Sequence, residues 1–205
     1  MINEIKRAFG ENKLAIYSSI AIFLFSFTFG FVFKQYLNSI LTPVVEDLTQ
    51  KVQSGVIKLT FTDIFFNNIL IAIRMFIYGA TFCFSAIILA YNGFFIGFYI
   101  SSSNNLFRTL LLTIPHGIFE FSACILACAS GFVLFNFIFK FLKSLWVQDD
   151  DEPLMVILKV SFSESFDKLK QAFILFAIAS ILMAIAGFIE VYLTIPIANL
   201  IVSIF

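Results

Sequence analysis

Between Ile64 and Ile100 the chain carries one charge, Arg74, and between Phe121 and Leu142 it carries one, Lys140. These runs constrain the fold more than any other feature. A helix rises ~1.5 Å per residue and a bilayer core is ~30 Å thick, so about 20 apolar residues make one crossing. The first run is too long for one crossing and barely long enough for two. In lipid each backbone N–H and C=O needs a partner within the protein, which favours helices for continuous apolar runs.

Composition agrees. The chain is 60% hydrophobic with a mean hydropathy of +1.00, and only 13% of its 205 residues are charged. That is about half the charge of a soluble domain, so lipid must act as solvent for much of the surface. The 30 phenylalanines suit lipid-facing helix surfaces. Thirteen basic and 13 acidic residues balance, with no basic patch of the kind that marks a nucleic-acid partner. Cys83, Cys124 and Cys128 lie in apolar sequence and read as small packing residues, not as a disulfide framework or zinc site.

The pattern predicts an all-α, polytopic transmembrane helix bundle, one integral membrane domain over residues 1–205 with about five spans and amphipathic interfacial helices. The spans fall at about 14–33, 63–78, 80–100, 115–142 and 172–193. The first has no small-residue cleavage site after it and reads as an uncleaved anchor. Tyr78-Gly79-Ala80 is the hinge that divides the long run. The short piece 63–78 has an alternative as a helix lying in the membrane plane. Segment 34–62 repeats Leu41, Val44, Val45, Leu48, Val52, Val56 and Ile57 at helical spacing between charges, an outer amphipathic segment. Segment 143–171 is an inner loop with an acidic turn at 149–152. There Ser161-Phe162-Ser163-Glu164 has capping-box form, as at a helix start.

Lysines and arginines choose the orientation. With five spans, Lys6, Arg7, Lys13, Lys140, Lys143, Lys159, Lys168 and Lys170 share one side, and only Lys34, Lys51, Lys58 and Arg108 share the other. The positive-inside rule then puts the N-terminus inside and the C-terminus outside a cell membrane.

Polar residues inside apolar sequence are the candidate functional groups. They are Asn67, Asn68 and Arg74 in the second span, Asn92 in the third, His116 and Glu120 in the fourth, and Glu190 in the fifth. His116 and Glu120 are four residues apart and share a helix face, enough for a hydrogen bond or half of a metal site. No second histidine exists, and no hydrolase or nucleotide-binding motif is present, so the sequence assigns no catalytic residue, no metal and no cofactor. Pro115 reads as the first turn of the fourth helix, where Glu120 would meet the positive end of the helix dipole. Gly93 and Gly97, and Ala123, Ala127 and Gly131, recur every four residues and predict close helix packing, within the chain or in a homodimer.

Pro115-His116-Gly117-Ile118-Phe119-Glu120 also resembles a signature of the stage II sporulation protein M family of integral membrane proteins. Asn67-Asn68, Asn92-Gly93 with Gly97, and Glu190 with Thr194 and Pro196 resemble its other motifs, in order, from about residue 61 onward. Phe121-Ser122-Ala123 stands where the family usually has Leu-Pro-Ala, and Ile195 separates Thr194 from Pro196. These departures point to a divergent, archaeal-type member. The resemblance implies a non-enzymatic scaffold or membrane-remodelling component with the lipid bilayer and membrane or extracytoplasmic proteins as partners. A transporter with a polar intramembrane path is the alternative, and an intramembrane hydrolase the third reading.

Overall fold

The computed structural model describes residues 2–55, 60–81, 83–147 and 153–204. They form eight α-helices and no strand. In chain order these are α1 (Ile2–Glu11), α2 (Lys13–Val32), α3 (Lys34–Gln53), α4 (Phe61–Tyr78), α5 (Cys83–Ser102), α6 (Leu106–Val147), α7 (Leu154–Tyr192) and α8 (Thr194–Ile204). Five of them, α2, α4, α5, α6 and α7, are long and apolar enough to cross a membrane. The all-α polytopic bundle expected from the apolar runs is what the chain forms.

Helix directions follow from which side chains meet. Gly93 on α5 faces Phe23 on α2, and Gly97 faces Phe27, so α2 and α5 run parallel. A Cβ at Gly97 would strike the Phe27 carbonyl oxygen, and one at Gly30 the Phe94 carbonyl oxygen. Glycine is what lets these backbones approach so closely. Helix α4 runs antiparallel to α7. Phe61 and Ile64 lie at Gly187, while Phe76 stacks on Phe176 at 4.8 Å and lies 5.2 Å from Phe173. Helix α4 therefore lies along α7 from its first turn to its last.

A 3₁₀ turn at Gly79–Thr81 reverses the chain into α5. Gly79 sits directly on Gly131 of α6, and a Cβ on either would meet backbone. The long helices α6 and α7 pack on each other along much of their length. The core lies between them and α2, α4 and α5, and includes Met75, Leu89, Ala127, Cys128, Leu175 and Met183. Ala123 and Ala127 are fully buried in it.

Two expected boundaries move. The fourth spanning helix does not begin at Pro115 but at Leu106, and Pro115 lies inside it. The cap is Asn105, whose side-chain oxygen accepts from the Arg108 N–H at 3.0 Å. The segment 143–171 is not a loop: α6 continues through it to Val147, and α7 begins at Leu154 after Pro153. Ser161 is no cap, being buried in mid-helix, and Glu164 instead accepts a 2.7 Å hydrogen bond from Ser144 of α6. Tertiary packing of the α6–α7 hairpin overrides the local capping signal. The acidic turn at 149–152, and Val56 and Ile57 of the outer segment, lie outside the described residues. The side chains of Leu48 and Val52 do too. Lys34–Gln53 of that segment forms α3, which buries Leu41 and is tied to α5 where Lys34 Nζ donates to the Ser101 carbonyl at 2.7 Å, and Phe61 and Thr62 begin α4.

Candidate functional site

Helix α6 carries His116 and Glu120 one turn apart. Helix α7 ends at Tyr192, a single residue, Leu193, breaks it, and α8 starts at Thr194. This break brings the end of α7 and the first residue of α8 against α6. A ring nitrogen of His116 and a carboxylate oxygen from each of Glu120 and Glu190 all lie within 4.8 Å of one another. All three residues are half-buried. The third group that the sequence could not supply within one helix comes from α7.

The hydrogen bonds bear on the tautomer of His116. Thr194 Oγ1 lies 3.3 Å from His116 Nδ1 and 3.1 Å from the Ile189 carbonyl oxygen. A carbonyl can only accept, so the threonine's single proton goes to Ile189. Its oxygen is then an acceptor for an Nδ1–H, and Nε2 is left with the ring's lone pair. Thr194 is only 5% exposed, so water does not compete for the geometry. Among the described residues, neither Glu120 nor Glu190 has a hydrogen bond or a basic partner. Glu120 lies well inside α6, so the dipole at a helix start does not account for it; the fact that does bear on it is the neighbouring Glu190.

The other candidates fall elsewhere. Asn92 donates to the Ile88 carbonyl of its own helix at 2.8 Å. Asn67 and Arg74 are exposed on α4, and Asn68 is half-buried beside Asn67 with a long 3.4 Å contact between their amides. Arg74 reaches neither Glu120 nor Glu190. Gly117 is buried beneath the ring of its own neighbour Phe121. Gly93, Gly97 and Gly131 lie at helix contacts.

At the other end of the bundle is a polar cluster that sequence reading missed. Glu11 accepts from Arg7 at 2.6 Å, Gln171 at 2.8 Å and Lys168 at 3.1 Å. Arg7 also pairs with Asp167 at 2.9 Å, and the buried Asn12 donates to Gln171 at 2.7 Å. Gln171, Arg7 and Lys168 hold the Glu11 carboxyl down from 4.5 to about 2. The signal was present as opposite charges on α1 and α7, but nothing local says those two segments meet.

No solved structure matches this chain. An uncharacterized protein of Methanocaldococcus jannaschii is 30% identical over 192 residues, covering 91% of this chain and 97% of that protein. The family model for stage II sporulation protein M matches residues 19–195, a span that contains His116, Glu120, Glu190 and Thr194. The chain belongs to the stage II sporulation protein M family.

Proposed function

We propose that this protein is a non-enzymatic scaffold of the cell membrane, with its N-terminus inside and C-terminus outside, that holds a membrane or extracytoplasmic partner. The observation that carries the reading is the outer face of α4. Asp63, Asn67, Arg74 and Tyr78 share that face and all four are exposed. Asp63 is engaged at the helix start, where Thr60 accepts from its N–H at 3.3 Å. Asn67 lies nearly two turns from the start and Arg74 about one turn from the end of this helix of 18 residues, or about 27 Å. Lipid offers an amide or guanidinium no partner, whereas a neighbouring protein helix does.

A transporter reading draws on the His116, Glu120 and Glu190 cluster. Against it, Asn67 and Asn92 do not join that cluster, and the interior beyond it is packed with Ala123, Ala127, Cys128 and Met183. A hydrolase reading needs an activated nucleophile. Thr194 is the hydroxyl in reach of His116, and its proton is directed to Ile189.

Affinity purification after in-cell crosslinking tests the scaffold. The wild type should bring down a defined membrane or secreted protein, and Asn67→Leu with Arg74→Leu should lose it while still inserting normally. Equal recovery from both, or recovery of neither, contradicts the proposal. Recovery of a second copy alone replaces it with a homodimer.

A further inference from the structure

We infer that His116, Glu120 and Glu190 bind a divalent transition-metal cation, with Thr194 holding the imidazole in its ligating form. This goes beyond the scaffold reading and does not depend on it.

The first ground is charge. Two carboxylates approach within 4.8 Å of each other, and among the described residues no lysine or arginine pairs with either. Even half-buried, an unpaired carboxylate is costly, and two side by side add their repulsion. A dication between them brings the local charge to zero. The second ground is the donor set. One imidazole nitrogen with two carboxylate oxygens suits zinc, manganese or ferrous iron, whereas calcium and magnesium sites are built from oxygen alone. The third ground is independent of both. The Thr194 hydroxyl is buried, spends its proton on Ile189 and accepts from Nδ1, which leaves Nε2 as the nitrogen with a lone pair. Orienting a ligating histidine through its other nitrogen is how metal sites fix the tautomer.

Zinc at ~2.1 Å from each donor would hold them about 3.4 Å apart, so the three side chains draw in by up to about 1.4 Å on binding. Rotamer adjustment in Glu120 and Glu190 supplies that. Three protein ligands leave a fourth position for water. A cleft of about 610 Å³ between the start of α6 and α8, lined by Arg108, Leu111, Leu112, Ile195 and Asn199 among others, opens one turn before His116 and next to Thr194. Bound there, the cation would staple α6 to the α7–α8 corner.

The test uses the full chain, purified in detergent with a tag free of histidine and stripped with a chelator. Zinc alone should return to about one per chain and raise the thermal midpoint by several degrees, and magnesium should do neither. Cobalt should give visible absorption bands characteristic of nitrogen and oxygen ligands. Glu190→Gln and His116→Ala should abolish both the shift and the bands. Thr194→Val should keep the fold and weaken zinc binding about tenfold. If Glu190→Gln does not fold, the cobalt spectrum of the wild type decides alone. A stripped chain that takes up no zinc overturns the inference. So does one that gains stability only on acidification, since the two carboxylates then share a proton instead.

Discussion

Gly97 shows what a single side chain decides in this bundle. A Cβ there would meet the Phe27 carbonyl oxygen and, at 2.9 Å, the Phe31 nitrogen, both backbone atoms of α2 that cannot swing aside. Gly97→Val should therefore destabilise the protein by about 1–3 kcal/mol as overpacking. Gly10 meets nothing within 4 Å, so Gly10→Ala should be neutral or slightly stabilising. Thermal melts of the two variants in one detergent check the contrast. The close packing at Gly93 and Gly97 was legible in the sequence because a four-residue spacing is local. The encounter of Glu120 with Glu190 was not. It depends on the relative register of α6 and α7, which is set by packing along both helices.

Helix α6 illustrates why boundaries mislead when a proline is the guide. Proline suits a first turn, but here Asn105 supplies the cap and Pro115 sits in the interior, leaving the Leu111 carbonyl without its usual N–H partner. Asn105→Ala should lose about 1 kcal/mol. Pro115→Ala restores the missing donor and should not lose stability; if Pro115 did begin the helix, the two effects would exchange. Denaturation midpoints of the pair decide. Helix α1 is latched to α7 through Glu11, whose carboxyl titrates lower in the folded protein than its ordinary 4.5. The sign follows: the latch contributes fully above about pH 4.5 and fades as pH falls toward about 2. Glu11 is 40% exposed, so solvent screens much of the effect. Hydrogen exchange of α1 should accelerate across that pH window in the wild type, and Glu11→Gln should show faster exchange already at neutral pH. An unchanged α1 in both would rule out the latch.

At the scale of the molecule, span count and membrane character were legible because composition and run length report them directly. The polar layout was only partly so. Periodicity placed Asp63, Asn67, Arg74 and Tyr78 on one face of α4, but it could not say that this face points away from the bundle. Five spans put α1 and α8 at opposite ends, since α1 packs on the first half of α7 while α8 packs on α6 and α7 at the other end. With the proposed orientation, a cysteine at Asn199 should react with a membrane-impermeant maleimide in intact cells and one at Lys6 should not; the reverse pattern would invert the topology.

The scaffold reading rests on the outward polar face of α4, and site-specific photocrosslinking in living cells addresses it most directly. A photoreactive residue at Asn67 should give a discrete adduct with another membrane or secreted protein. The same residue at Phe25, 76% exposed on α2, should give none. That adduct should disappear when Arg74 is replaced by leucine. Absence of any adduct at Asn67, or the same products at both positions, would mean that this face meets only lipid and would contradict the account.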